Sequence, residues 1–550
     1  MKKNKKSNGK KSRTPVEENR KKEILLWFFL AVVLLAFVII RLRLLDLPLE
    51  RDEGDYAINA SLLLNGNSLS SPLIMKRFPF IYYIYMLFIT LFGHSDRGIH
   101  FGLMLTNLIS AYGIYLVGSR LYKRSSGILA SAFFLLMSLS PDVNGLAANR
   151  EHFEVLFLIY GAWFLLKGRE RKAFLNYALA GLMMGLSFAV KQNALFFMAW
   201  GGLWILAEGY YFQRKKWQSV WAAVSVYSLA ALLPFFIILM LYTYAGVFDA
   251  FVIKTFYSNS RYLTELSFWD GVRNFFNHLS PLFYSYTFLF LLAFQPIFRW
   301  RNEKGAIRIN LYLLSFALFS FMSIVPGWHF YPHYFILIIP SIGLLAAIGT
   351  PELINFLKRK THLPGVISMV PILFILQPLL VNSFYFFKAD TTQASRITYE
   401  YNPFPEAKII GQHIKQITSD TSSIMVLGSE PELYFYAERR PAISNYYMYF
   451  LMDGSELARQ KQKELIRQAE EDMPEVVVYV NVSSSWMSRP DSDKKLLKWF
   501  NLLLKNNRYK LIGIADMFQD RTLYLYGPKA RKYKIRSNGF ITLFRRVSQK

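Results

Sequence analysis

An acidic segment directly after the first apolar run of the chain is the clearest candidate for chemistry. The segment LPLERDEGDYAINA places Asp52, Glu53 and Asp55 within about one helical turn. If a helix starts here, Asp52 and Tyr56 share a face, while Glu53 points elsewhere. A carboxylate in a partly dehydrated site can act as a general base that takes a proton from an attacking hydroxyl. The alternative is helix capping, with Asp52 as the N-cap and the other acids in the first turn.

Basic and aromatic residues recur where the apolar runs end. Lys76 and Arg77 follow the acidic segment, Lys191 stands in the short link KQN, and His333 with Tyr334 opens a late apolar run. A lysine in such a place can simply extend its ammonium to the membrane interface. Lys76 and Arg77 can likewise be attracted to anionic lipid headgroups.

Composition indicates a membrane protein. Of 550 residues, 53% are hydrophobic and only 18% are charged, below the roughly 25% of soluble domains. Runs such as 24–40 and 222–241 approach the roughly 20 residues that cross a hydrocarbon core. The net charge of +27 is explained by basic cytoplasmic loops, so we expect no nucleic-acid partner. With no cysteine, disulfides and Cys-ligated metals are excluded.

The position of the basic loops predicts the topology. About eleven spans, from Ile24–Leu45 to 366–384, place every Lys/Arg-rich loop on the cytoplasmic side with the N-terminus inside. Residues 1–22 form a basic tail that we expect to be disordered, and residues 23–385 form the membrane domain. The first extracytoplasmic loop, 46–96, contains the apolar stretch Phe80–Phe92, which is too short to cross and predicts an interfacial helix. No internal repeat typical of many transporters is present.

Residues 386–550 have the composition of a water-soluble domain. Helical patterns such as SELARQKQKELIRQAEED alternate with strand patterns such as SSIMVLGS and PEVVVYVNV. The alternation predicts an α/β domain on the extracytoplasmic side. The fold class is therefore a polytopic α-helical membrane protein with a C-terminal extracytoplasmic α/β domain. The domain has no glycine-rich phosphate loop, so nucleotide binding is not indicated.

Six motifs in one order resemble those of the C-type membrane glycosyltransferases. The Asp-Glu pair followed by Tyr-Ala, then KRFPFIYYIYMLFITLFG, NREHFEVLF, KQNALFF, HYFILIIP and GSEPELYFYAERRP are similar to motifs of the branch that includes protein O-mannosyltransferases and the lipid A aminoarabinose transferase. Arg77 and Phe78 depart from the commoner Lys-Pro-Pro pattern of that branch. The motifs span most of residues 24–445.

The resemblance implies an inverting transfer of a sugar from a polyprenyl-phosphate donor to a lipid, glycan or protein acceptor at the outer face of the plasma membrane. It makes Asp52 the general base, Glu53 a residue that assists or orients it, and Glu151 the second acidic motif, although Glu151 can also be a helix-start carboxylate beside Arg150. Such a transfer would serve lipid A or cell-envelope glycan modification, or protein O-glycosylation.

The same resemblance makes the basic residues ligands of the donor phosphate. An ammonium at Lys191 would stabilise the charge that develops on the leaving group, and His333 with Tyr334 could do the same. Lys76 and Arg77 could hold phosphate or acceptor. The acidic residues could also hold a divalent cation through oxygen, while no His-rich spacing indicates zinc; metal dependence stays open.

Other functions remain as alternatives. A polytopic transporter or lipid flippase would need ionisable residues in the middle of its spans, whereas here the polar groups gather at span ends. An inert anchor that displays the C-terminal domain would leave the acidic segment unexplained. An oligosaccharide polymerase or ligase would use the same donor side and a similar topology.

Overall fold

The computed structural model describes residues 15–170, 172–257, 266–298, 304–360 and 370–547. The helices of the membrane part are α1 (Pro15–Arg43), α2 (Arg51–Leu64), α3 (Phe80–Phe92), α4 (Asp96–Leu121), α5 (Arg124–Met137), α6 (Arg150–Lys167), α7 (Ala173–Val190), α8 (Leu195–Leu206), α9 (Trp217–Tyr244), α10 (Phe248–Val252), α11 (Phe268–Ser285), α12 (Thr287–Phe298), α13 (Lys304–Ile324), α14 (Ile339–Lys360), α15 (Val370–Val381) and α16 (Ser383–Phe387). Short 3₁₀ helices cover Pro141–Val143, Gln192–Ala194 and Pro332–Leu337, and π-helical turns cover Ala207–Phe212 and Ile253–Tyr257.

Several helices are suited to a bilayer. Within the described residues, six are long and apolar enough to cross one: Ile24–Arg43, Asp96–Leu121, Ala173–Val190, Trp217–Tyr244, Ile307–Ile324 and Ile339–Lys360. Of the other predicted spans, two overlap the shorter apolar helices α5 and α15, and two more fall on α6 and α8. The predicted mostly helical fold with a C-terminal sheet domain is therefore confirmed, whereas the number of spans and their orientation stay predictions.

The observed helix boundaries differ from the predicted ones mainly where polar residues extend a helix beyond its apolar run. Helix α1 begins at Pro15, inside the predicted tail 1–22, because Glu17, Glu18 and the basic residues behind them favour helix and proline is tolerated in a first turn. Residues 1–14 of that tail, and parts of the loops at 258–265, 299–303 and 361–369, lie outside the described residues. The predicted interfacial helix has the same bounds as α3.

Ion pairs join the predicted inner loops to one another. Glu208, which is fully buried, pairs with Arg308 Nε at 2.7 Å and with Arg169 Nε at 3.3 Å. Arg120 at the end of α4 pairs with Glu170 at 2.7 Å. The loops after α4 and α6, the end of α8 and the start of α13 therefore meet at one end of the helix bundle, as a common membrane side requires.

The C-terminal domain is built on one mixed sheet. Its helices are α17 (Thr391–Tyr399), α18 (Phe404–Ile417), α19 (Glu432–Ala437), α20 (Glu456–Asp472), α21 (Ser483–Trp486), α22 (Lys495–Lys505) and α23 (Pro528–Lys532), with a 3₁₀ helix at Met448–Leu451. Its strands are β1 (Ser423–Leu427), β2 (Arg440–Pro441), β3 (Val476–Asn481), β4 (Tyr509–Met517), β5 (Thr522–Tyr526) and β6 (Gly539–Arg546). The strand order is β2-β1-β3-β6-β4-β5. β1 pairs in parallel with β2 and β3, and the other pairs are antiparallel.

The C-terminal domain packs directly on α2. A Cβ on Gly54 would lie 2.5 Å from the backbone nitrogen of Glu432, so glycine is needed for α2 and α19 to approach this closely. The Leu49 amide donates to the Tyr436 hydroxyl at 2.8 Å, and Arg51 Nε donates to the Ser429 carbonyl at 2.5 Å. These contacts hold the acidic segment between the membrane helices and the soluble domain.

Candidate active site

Helix α2 begins with a capping box in which Glu50, not Asp52, is the N-cap. The Glu50 side chain accepts from the Glu53 amide, and Glu53 Oε2 accepts from the Glu50 amide at 3.1 Å. The capping alternative for Asp52 is therefore wrong, since Asp52 is the second residue of the helix and the cap lies two residues earlier. This leaves the Asp52 carboxylate available for another role.

Glu53 is fully buried and holds neighbouring segments together. His100 Nε2 on α4 lies 2.9 Å from Glu53 Oε1, and the Ala148 amide donates to the same oxygen at 2.6 Å. His100 Nδ1 in turn lies 2.9 Å from the Leu45 carbonyl oxygen. Both Glu53 oxygens are thus engaged within the protein, so this carboxylate orients α2 relative to α4 and to the segment before α6.

Asp55 forms a buried ion pair with Arg77. Arg77 Nη1 lies 2.9 Å from Asp55 Oδ2, and Asn59 Nδ2 donates to Oδ1 at 2.9 Å. Burial raises the pKa of Asp55 above its ordinary value, and the Arg77 charge opposes this rise without cancelling it. The guanidinium of Arg77 stands 5.4 Å from the ring centroid of Tyr447. Arg77 is therefore a partner of the acidic segment.

Asp52 is half-buried at the surface of this acidic cluster. Its Oδ1 lies 3.5 Å from the Tyr447 hydroxyl, which comes from the C-terminal domain. Among the residues that the structure describes, Tyr447 is the only side chain that donates a hydrogen bond to Asp52, and Oδ2 receives none. Of the four carboxylates in the segment, Asp52 therefore has an oxygen that is left for a reacting group.

A second charged cluster unites residues from three distant motifs. The Lys191 ammonium donates to Glu151 Oε1, and His333 Nε2 lies 4.0 Å from the same oxygen. Lys191 Nζ also stands 3.8 Å from the ring centroid of Tyr334, in cation–π contact. The start of α6, the link after α7 and the 3₁₀ helix at Pro332–Leu337 therefore converge here.

Arg150 and Tyr56 connect the two clusters. Tyr56 is one helical turn beyond Asp52, and the Arg150 guanidinium carbon lies 5.5 Å from its ring centroid. The negative charges of Asp52 and Glu151 both act on Arg150, and the charge of Asp52 also reaches His333. The carboxylate and the cationic cluster thus belong to one site at one end of the helix bundle.

Lys76 is turned towards its own loop. Its Nζ donates to the carbonyls of Ser71 and Ile74, the latter at 2.8 Å. Burial lowers the pKa of Lys76 to about 8. The described residues show no contact between this ammonium and the other predicted site residues. For a divalent cation, no group of three or more Asp, Glu or His side chains suited to hold a metal occurs in the described ranges.

Three residues of this site were not assigned a role from the sequence. The sequence presents Asp55 and Arg150 only as neighbours of the acidic motifs. It does not reveal that Asp55 pairs with Arg77 or that Arg150 lies over the ring of Tyr56. Tyr447 lies 395 positions after Asp52, in a tyrosine-rich stretch of the soluble domain with no local signal.

Comparison with known protein families gives a match over part of the chain. Residues 76–242 match the family model of dolichyl-phosphate-mannose-protein mannosyltransferase, a segment that includes Arg77, Glu151 and Lys191 but not Asp52 or His333. No curated protein sequence matches the chain significantly.

Solved structures share the fold at low sequence identity. The structure of ArnT from Cupriavidus metallidurans bound to undecaprenyl phosphate has a TM-score of 0.56 and 14% identity, covering 95% of this chain and 97% of that one. The apo oligosaccharyltransferase of Archaeoglobus fulgidus has a TM-score of 0.55 and 11% identity, covering 91% and 74%. AglB from the same organism, in complex with an inhibitory peptide and a dolichol-phosphate, has a TM-score of 0.50 and 11% identity, covering 92% and 75%.

The matched segment and the shared fold coincide with the motifs that indicated the family. The segment carries part of the charged site, and the fold extends over nearly the whole chain. The resemblance to the C-type membrane glycosyltransferases is confirmed, and with it the prediction that this chain is a glycosyltransferase.

Proposed function

We propose that the chain transfers a sugar from a polyprenyl-phosphate donor to an acceptor hydroxyl with inversion, using Asp52 as the general base. The observation that carries this proposal is the short link between a half-buried carboxylate with an open oxygen and a cationic cluster, made through Tyr56 and Arg150. The neighbouring structures that contain undecaprenyl phosphate or dolichol-phosphate support a donor of this class.

The reaction is a single displacement. The acceptor oxygen attacks the anomeric carbon while its proton passes to Asp52, so that the new C–O bond forms as the bond to the phosphate oxygen breaks. The electron pair leaves with the polyprenyl phosphate. Attack opposite to the leaving group inverts the anomeric configuration.

The second cluster suits the leaving group. Lys191, with Arg150 beside it, supplies positive charge where the phosphate gains negative charge, and a partly dehydrated setting strengthens this stabilisation. Burial lowers the pKa of His333, so this side chain would contribute a hydrogen bond from its neutral ring. In the resting site Glu151 neutralises Lys191 and keeps the cation from being buried without a partner. Tyr334 holds the ammonium from the other side through its ring.

We place this site and the C-terminal domain on the extracytoplasmic side of the plasma membrane. The support is that the basic loops meet at the other end of the helix bundle, which agrees with cytoplasmic loops rich in Lys and Arg. The acceptor would be a lipid, a glycan or a protein, reaching Asp52 beside the soluble domain. Lys76 would act there only by shaping its loop.

The test is transfer by the purified full-length protein in lipid nanodiscs. The donors tested are undecaprenyl phosphates that carry a hexose, an N-acetylhexosamine or an aminopentose, and an envelope extract supplies the acceptors. The released undecaprenyl phosphate is measured by mass spectrometry. Asp52→Asn should abolish release with an unchanged melting temperature. Asp46→Asn, at a half-exposed carboxylate just before the acidic segment, should retain it.

Two results would remove the proposal. Full release by Asp52→Asn would exclude the base, and a product with the anomeric configuration of the donor, read by NMR, would exclude a single displacement. A transporter or flippase would move the donor between leaflets without releasing undecaprenyl phosphate at all, so the same assay separates that alternative.

A further inference from the structure

The C-terminal domain reaches into the acidic cluster through two consecutive tyrosines. Tyr446 and Tyr447 precede the 3₁₀ helix Met448–Leu451, and both are about 1% exposed. The Tyr446 hydroxyl donates to the Leu73 carbonyl in the first outer loop. The Tyr447 hydroxyl points to the acidic side of α2. The soluble domain therefore closes over the segment that carries the proposed base.

Tyr447 contacts three charged groups of the site. Its hydroxyl lies 3.5 Å from Asp52 Oδ1. It is also near enough to Asp55 to lower the pKa of that carboxyl against the stronger effect of burial. Its ring lies below the Arg77 guanidinium. A buried phenol normally finds an acceptor for its O–H, and here both available acceptors are carboxylates.

The distribution of partners favours Asp52 as the acceptor that depends on Tyr447. Asp55 already receives hydrogen bonds from Arg77 and Asn59. A phenol has one proton to donate, and in the described part of the chain Asp52 has no other side-chain donor. Loss of this hydroxyl would therefore leave Asp55 held in place and Asp52 without a fixed orientation.

We propose that Tyr447 is a positioning residue of the transfer reaction, contributed by the C-terminal domain. Its hydroxyl holds Asp52 Oδ1 so that Oδ2 faces the acceptor hydroxyl. This inference rests on the proposed function of Asp52, and it makes the membrane domain catalytically incomplete without the soluble domain. The soluble domain thus acts in the chemical step as well as near the acceptor.

The experiment compares Tyr447→Phe with Tyr446→Phe in the full-length protein. Both changes remove one buried hydroxyl from the same segment, but within the described ranges the Tyr446 hydroxyl donates only to a backbone carbonyl. Tyr447→Phe should lower kcat about ten- to hundredfold, as expected for a lost hydrogen bond to a charged group, and leave KM for the undecaprenyl-phosphate donor unchanged. Tyr446→Phe should keep kcat within about threefold, at a similar loss of melting temperature.

The outcomes separate this inference from the proposed function. An inactive Asp52→Asn beside a fully active Tyr447→Phe overturns the positioning role alone. Equal losses of kcat in Tyr446→Phe and Tyr447→Phe also overturn it, because both would then report only the packing of the segment. Normal transfer by both Asp52→Asn and Tyr447→Phe would overturn the proposed base together with its positioning residue.

Discussion

Replacing Lys191 by methionine separates two roles that the structure assigns to the same ammonium. The side chain is 12% exposed and pairs with Glu151, which is 1% exposed. Methionine keeps most of the apolar stem and removes the charge. The substitution therefore leaves Glu151 buried without its ion-pair partner, with His333 Nε2 at 4.0 Å, and burial lowers the pKa of that imidazole.

The size of both effects follows from the burial of the pair. Removing one partner of a buried ion pair destabilises a fold by about 3–5 kcal/mol, because the other charge stays buried without compensation. A lost charge-assisted hydrogen bond to phosphate weakens binding by about 1.5–3 kcal/mol, or about ten- to hundredfold in Kd. Lys191→Met should therefore lower both the melting temperature and the affinity for undecaprenyl phosphate.

The double variant Glu151→Gln/Lys191→Met distinguishes the two effects. Because it removes both charges, it should regain most of the lost stability but not the affinity. Binding is measured by titrating undecaprenyl phosphate into nanodiscs with native mass spectrometry, and stability by thermal unfolding in detergent. Lys388→Met, at an exposed lysine after α16, is the control. Wild-type affinity in the double variant would refute the phosphate role and leave Lys191 as a counter-ion of Glu151.

Two further predictions concern the contacts that hold α2. Gly54→Ala should destabilise the protein by about 1–3 kcal/mol and reduce transfer, because its Cβ would meet the backbone of Glu432 at 2.5 Å. The control Gly539→Ala, with open space around it, should unfold like the wild type. Equal melting temperatures for the Gly54→Ala and Gly539→Ala variants would contradict the close packing of α2 and α19. Arg77→Gln removes the charge that opposes the burial-raised pKa of Asp55, so that pKa should rise further. When the folded state raises the pKa of a carboxyl, the protein loses stability as pH rises above about 4, the pKa of that carboxyl in the unfolded chain. The melting temperature of Arg77→Gln should therefore fall further below that of the wild type at pH 8 than at pH 5. An equal difference at both pH values would contradict this reasoning.

The acidic segment illustrates what the sequence could predict and what it could not. The spacing of Asp52 and Tyr56 correctly indicated a shared helical face, and the apolar run at α3 had unambiguous ends. The interpretation of Asp52 as the N-cap was wrong because glutamate is a less common N-cap than aspartate. The capping box of Glu50 and Glu53 can be recognised only when the backbone is known. Asp55 looked equivalent to Asp52 until its pairing with Arg77 was seen.

Contacts between residues far apart in the chain account for most of what the sequence did not reveal. Motif order suggested that Glu151, Lys191 and His333 share a site, and the structure brings them together; their roles stay predictions. Nothing local in the sequence connects Tyr447 with Asp52, because that contact depends on how the soluble domain docks on α2. No strand was predicted for GFITLFRR, which the structure shows as β6 between β3 and β4.

A cryo-electron microscopy structure of the full-length protein with undecaprenyl phosphate would test the central claim most directly. We expect the lipid phosphate against Lys191, beside His333 and Arg150, at the end of the bundle that carries Asp52. A phosphate bound instead at the opposite end, among Arg169, Glu208 and Arg308, would contradict it.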